Sequence, residues 1–164
     1  MERSFRATLE DVWDLWTTKD GIESWWGPEG FAVIVRSIDV RPEGALHYAM
    51  SAVAPEMVAF MKAQGMPTTT EHHVTYTEGV PHRRLAYRHP VDFVPGVAVY
   101  DVTTVVELEA TDNGVKMVLS FDRMHDTMWT ERAAMGWESE IGKLAKVLSS
   151  RAAGATVPAS EGAK

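Results

Sequence analysis

Hydrophobic positions along this chain change period several times, and each change marks an element. Val12, Leu15 and Trp16 recur at i, i+3, i+4, the stripe of a short amphipathic helix. Thr8 can cap it, and Asp11 is an acid at its third helical position. Residues 3–7 ahead of it read as a short strand. A second short helix is expected from Lys19 or Asp20 to Trp26, where Gly27-Pro28 ends it. Helical neighbours point about 100° apart, so Trp25 and Trp26 cannot share one direction. One is expected to pack under the short helices, and the other, Trp26, to look toward a cavity mouth.

The period then shortens to two. FAVIVRSIDV, Phe31 to Val40, is β-branched and reads as a strand. Two parities are open there: Ile34, Arg36, Ile38 and Val40 on one face, or Phe31, Val33 and Val35. The first would turn Arg36 inward. Arg41-Pro42-Glu43-Gly44 has the residues of a type I turn, and residues 45–51 alternate Leu46, Tyr48 and Met50 against polar neighbours. Further strands are expected at 70–78, 83–89, 98–110 and 115–122, the last two joined through Asp112-Asn113-Gly114.

Two stretches return to helical spacing. An insertion at about 54–65 opens on Pro55 and carries Met57, Phe60 and Met61 on one face. Near the end of the chain, Asp126 can cap a long helix whose stripe is Trp137, Ile141, Leu144 and Leu148. About 23 residues there would span roughly 35 Å. Lys143 and Lys146 lie toward its negative end. Residues 150–164 are small, polar and aperiodic, and are expected to form a disordered tail behind a single domain at 1–149. Strand, two short helices, six strands and a long helix make an α+β domain, a curved antiparallel sheet wrapped around the C-terminal helix.

Composition narrows the setting. The formal charge is -7 over 164 residues, with Lys and Arg dispersed, which disfavours nucleic acid and anionic membrane as partners. The chain has no cysteine, excluding disulfides and thiolate chemistry and suiting a reducing cytosol. Met1 runs into Glu2-Arg3 without an apolar signal segment, and no apolar run is long enough to span a bilayer. A cytoplasmic location is expected.

Four stretches carry a resemblance. LEDVWDLWTTKDGIESWWGPEGF, IDVRPEGALHYAM, PHRRLAYRH and MGWESEIGKLAKVL occur in the order seen in the activator-of-heat-shock-protein-90-ATPase-like family. That family belongs to the START-like (SRPBCC) superfamily. The chain resembles it over roughly residues 4 to 148, with Glu43 where the family often has a glycine. The resemblance implies the helix-grip fold. It implies several roles: small-molecule carriage, polyketide-cyclase-like or hydrolase-like chemistry, or partnership with a chaperone.

Candidate chemistry is sparse. On a strand His72 and His73 point to opposite faces and cannot share a metal ion, so neither a metal nor a cofactor is expected. No nucleophile elbow is present, and no catalytic residue is assigned. A small apolar or amphipathic ligand in a cavity between sheet and long helix is the leading expectation. The strand parities would turn all four tyrosines, Tyr48, Tyr76, Tyr87 and Tyr100, toward that cavity, together with His89. Buried hydroxyls need partners, supplied by a ligand or by one another. Trp26, Met50 and Trp137 complete the expected walls. Met57, Phe60 and Met61 would form a lid opposite the loop carrying Phe93; the plain alternative is a helix packed over a sheet edge.

Overall fold

The structure, a computed structural model, describes residues 1–155. Its elements are β1 (Glu2–Phe5), α1 (Leu9–Thr17), α2 (Lys19–Trp25), β2 (Phe31–Ile38), β3 (Ala45–Ala52), α3 (Pro55–Ala63), β4 (Thr69–Val80), β5 (Arg84–Val91), β6 (Tyr100–Thr111), β7 (Gly114–Phe121) and α4 (Thr127–Ala155). One seven-stranded antiparallel sheet runs β1-β7-β6-β5-β4-β3-β2 and curves around α4, the α+β helix-grip arrangement. The helix outlasts the boundary expected at Ser150 by five residues, to Ala155. It reaches 29 residues rather than about 23. The rest of the expected tail, 156–164, lies outside the described residues.

Local chemistry explains the boundaries. Thr8 and Asp11 close a full capping box on α1: the Thr8 hydroxyl accepts from the Asp11 N–H, and the Asp11 carboxylate accepts from the Thr8 N–H. Asp126 caps α4 by accepting from the Trp129 N–H at 2.7 Å. The stripe read from spacing is the buried one, with Ile141, Leu144 and Leu148 all under 5% exposed. They meet Leu46, Val74, Tyr76, Leu85, Val106, Met117 and Leu119 of the sheet in one core. Each fully buried aliphatic side chain there contributes about 1.5–3 kcal/mol. At the β6–β7 hairpin, Gly114 takes φ 146°, and a Cβ there would lie 2.0 Å from the Phe5 carbonyl oxygen. Only glycine lets β1 pass so close.

Two local departures from pattern have identifiable causes. β2 carries a bulge between Val35 and Ser37. Val33 and Val35 are buried before it, while Ile38 and Val40 join the core after it, so each parity holds for half the segment. Arg36 lies outside and bonds Glu71 at 3.1 Å. Side chains of α2 satisfy the bulge: Glu23 accepts from the Val35 N–H at 2.7 Å, and Lys19 Nζ donates to the Val35 carbonyl at 2.9 Å. The Lys19 hydrogen bond, and then the Val35 N–H, hold the Glu23 carboxyl below its usual range.

The second departure is the turn at 41–44. Glu43 has φ 64°, so the turn is not of the expected type I, which keeps both central residues at negative φ. Its backbone is held from three sides: Gly44 N–H donates to Arg41, Glu43 N–H to Tyr76, and Tyr76 N–H to Gly44. A left-handed non-glycine residue costs about 1 kcal/mol or more. The exposed Glu43–Arg88 contact at 3.6 Å returns little of that. Glu43→Gly is therefore expected to raise the melting temperature by about 2–4 °C. An unchanged or lower transition in differential scanning calorimetry would contradict this account of the turn.

Candidate functional site

Trp25 and Trp26 divide as their helical offset requires. Trp25 is fully buried, and its indole N–H donates to the Leu15 carbonyl at 2.8 Å, locking α2 onto α1. Trp26 follows the last helical residue; Gly27 at φ 88° and Gly30 at φ 84° then turn the chain into β2. Trp16 packs against both, with ring centroids 4.7 Å from Trp25, 5.7 Å from Trp26 and 6.2 Å from Trp137. Lys143 Nζ donates to the Gly27 carbonyl at 2.8 Å, so α4 is tied to the same corner.

Beyond this cluster, toward the N-terminal half of α4, a cavity of about 300 Å³ opens between helix and sheet. Trp26, Tyr48, Tyr87 and Trp137 form its aromatic walls. Trp26 stands nearly perpendicular to Trp137, at 88° and 6.3 Å, and steeply to Tyr48, at 73° and 6.3 Å. His72 stacks on Tyr48 at 5.2 Å, and its Nε2 is 2.7 Å from the Thr70 hydroxyl. His89, Pro90, Asp92 and Phe93 line the β5 end, with Glu71 at the rim. From α4 come Ala133, Gly136, Trp137 and Glu140. They recur at helical spacing on the face that continues the buried stripe.

Of the residues expected from sequence, the structure brings Trp26, Tyr48, Tyr87, His89 and Trp137 around this cavity. The others lie elsewhere. Met50 packs against the core beside Gly27 and Val33. Tyr76 sits in the core below, edge-on to Tyr87 at 6.3 Å. Tyr100 opens β6 beside Val91 but is not in the lining; its hydroxyl accepts from the His125 N–H at 3.1 Å and lies 2.8 Å from His125 Nδ1. Helix α3 is not over the cavity, because Ala54 and Met57 abut the Gly30 corner. Met61 is buried and Phe60 is 58% exposed. It lies beside a sheet edge, the plainer of the two arrangements expected for it. His73 turns its ring to the opposite side of β4, stacked on His47 at 5.7 Å.

Sequence reasoning missed Glu140. Its carboxyl is pushed up to about 7 by burial, with Lys143 one turn on opposing the rise. Burial likewise raises Tyr48 and Tyr87, and the Glu140 charge adds to both. The Trp26 indole N–H opposes the rise at Tyr48, and Thr104 that at Tyr87. Thr104 is close enough for that, yet neither its hydroxyl nor that of Tyr87 reaches hydrogen-bond geometry with a partner among the described residues. Burial lowers His72 and His89, so both imidazoles are mainly neutral at pH 7. Asp92 and then Glu71 oppose this at His72, and Asp101 opposes it at His89. Chemically, the cavity offers neutral phenol donors, two neutral imidazoles and one carboxylate poised to gain or lose a proton. Among the described residues no group of three or more His, Asp or Glu is placed to hold a metal ion. No helix among them is long and apolar enough to cross a membrane.

The raised Glu140 carboxyl has a consequence for stability. It holds its proton more tightly folded than unfolded. Its contribution is therefore full below its ordinary value of 4.5 and falls as the pH rises through about 7. Glu140→Gln is expected to stabilise the protein by on the order of 1–3 kcal/mol above pH 7.5, after discounting for the partly solvated site. The gain should vanish below about pH 4.5. Urea melts of both proteins across pH 4–8.5 check this; a constant difference would mean that Glu140 does not titrate as described.

Comparison with known proteins follows the fold. The family profile described as Activator of Hsp90 ATPase homolog 1-like protein matches residues 6–149. Among solved structures, a Chromobacterium violaceum protein superposes with a TM-score of 0.69 at 21% identity, over 90% of this chain and 94% of that one. The AHSA1 protein from Silicibacter pomeroyi gives 0.70 at 20% identity, over 92% and 96%. An AHSA1-like protein from Aeromonas hydrophila gives 0.67 at 16% identity, over 93% and 92%. At such identities these similarities bear on the fold alone. No curated protein matches the chain by sequence.

Proposed function

The chain belongs to the family of Activator of Hsp90 ATPase homolog 1-like proteins, and within that fold we propose that it binds a small amphipathic molecule between sheet and α4. The supporting observation is the cavity of about 300 Å³, aromatic on the side of Trp26 and Trp137 and polar on the side of Glu140, His72 and His89. An apolar body with a few convergent polar groups is the usual make-up of a small-molecule site. The apolar part of the ligand would rest on the indoles. Its polar part would meet Tyr48, Glu140 and the imidazoles. A cytoplasmic setting belongs to the same proposal, supported by the acidic, cysteine-free composition.

A second reading, acid–base chemistry on the bound molecule, has one observation in its favour. Glu140 can both hold and release a proton near neutral pH beside the Tyr48 and Tyr87 phenols. It uses the same cavity and differs in outcome: a recovered molecule would be altered by the wild-type protein and left intact by Glu140→Gln. Partnership with a chaperone, the third role implied by the family, gains no support from the site.

Gly136 provides the test. A Cβ added there meets nothing within 4 Å, so a larger side chain would grow into open space at the cavity wall. Gly136→Leu also replaces a poor helix former with a good one, worth roughly 0.5–1 kcal/mol of added stability. Wild-type protein purified from cells is expected to carry a small-molecule adduct in native mass spectrometry, absent from Gly136→Leu. A ligand at a hundred times its Kd should stabilise the wild type by about 2.7 kcal/mol. Adduct-free wild-type protein that also shows no thermal shift across a metabolite and lipid library would end the proposal.

A further inference from the structure

The walls of the cavity, taken with its charges, point to a class of ligand. Trp26 meets Tyr48 at 73° and Trp137 at 88°, so the three rings stand as adjoining walls of a box rather than as a stack. Tyr87 adds a fourth ring, 6.0 Å from Trp26. Ring faces carry negative electrostatic potential, and such boxes attract organic cations, Trp most strongly. Glu140 lines the same space from α4 and is near enough for its charge to act on both Tyr48 and Tyr87.

Among the described residues nothing forms an ion pair with that carboxylate. Lys143, on the same helix, spends its ammonium on the Gly27 carbonyl at 2.8 Å. Arg36, on the outer face of β2, pairs with Glu71. The groups facing Glu140 from the packed elements are Tyr48 on β3, His72 on β4, Tyr87 and His89 on β5, and Asp92 beyond β5. None brings a permanent positive charge: the phenols are neutral, burial keeps the imidazoles mainly neutral, and Asp92 is itself an acid. Beside an uncharged occupant the Glu140 carboxylate would have only the partial compensation of Lys143, whose ammonium is bonded to Gly27, and an anionic occupant would add a second negative charge.

Resting on the cavity-binding reading above, we infer that the ligand carries an organic cation, an amine or quaternary ammonium group, seated against Trp26, Tyr48 and Trp137 with Glu140 as its counter-charge. The cation supplies the direct ion-pair partner that Glu140 has from no described residue, and the indoles cover its alkyl substituents. Binding then requires ionised Glu140. With that carboxyl at about 7, affinity should fall about tenfold between pH 8 and pH 6. Protonation of His72 or His89 at the lower pH acts in the same direction.

Three soluble probes of similar size separate the possibilities: benzyltrimethylammonium, neutral 2-phenylethanol and anionic phenylacetate. Each is titrated into the wild type and Glu140→Gln while the indole N–H signals of Trp26 and Trp137 are followed by NMR. Benzyltrimethylammonium is expected to bind the wild type at least tenfold more tightly than 2-phenylethanol at pH 8. That advantage should shrink about tenfold at pH 6 and disappear in Glu140→Gln, which still binds 2-phenylethanol. If 2-phenylethanol or phenylacetate binds as well as the cation, or if Glu140→Gln keeps the preference, the cation assignment is overturned and the cavity reading stands. If none of the three shifts either indole at saturating concentration, both are overturned.

Discussion

Everything in this molecule is arranged around how large the side chains are along one face of α4. From the C-terminal end that face carries Leu148, Leu144 and Ile141, each seated in the sheet's apolar hollow. It then reaches Trp137 and Glu140, with the small Gly136 and Ala133 beside and beyond them before Trp129, which packs on Phe93. Where the side chains are large, helix and sheet are in close contact at interior packing density. Where they become small, the curved sheet cannot follow the helix, because the register of its strands is set by their own hydrogen bonds. The space that remains is the cavity. Gly136 and Ala133 leave it open, and Trp137 forms one of its walls.

The tryptophan cluster keeps this arrangement in position. Trp16 contacts Trp25, Trp26 and Trp137, so both short helices, the corner into β2 and α4 meet at one set of rings. The edge-to-face pairs that Trp16 makes with Trp25 and Trp26 each add roughly 0.5–1.5 kcal/mol beyond the area buried. The Lys143 bond to Gly27 fastens the same corner to the helix. Trp26 thus serves twice: one side of its ring belongs to the core and another bounds the cavity.

Most of the fold is readable in the chain because its signals are local. The capping box at Thr8, the change from period two to 3.6 after Asp126, and the Asp-Asn-Gly turn each act within a few residues. What escaped depends on distant neighbours. The bulge at Val35 inverts the parity of β2, and only the α2 side chains that satisfy it reveal where. Tyr100 has the inward parity of its strand, but the cavity is walled by β3, β4 and β5 rather than β6, and its hydroxyl serves His125 instead. Spacing identified the apolar face of α3 without saying which part of the surface that face meets. Glu140 reads as an ordinary acid beside an apolar stripe. The available signal was joint: an aliphatic stripe that gives way to one tryptophan, a glycine and an alanine, with one carboxylate where it changes.

This division of α4 bears on how such a protein can change over evolutionary time. Residues that decide whether the chain folds, Ile141, Leu144 and Leu148, are set apart from those that shape the cavity, Ala133, Gly136 and Glu140. Substitutions in the second group alter the volume and charge on offer without removing any of the first, although those at Gly136 and Glu140 shift stability as well. In a scaffold built this way the shape and charge of the cavity can change through single steps, each of which leaves a folded protein.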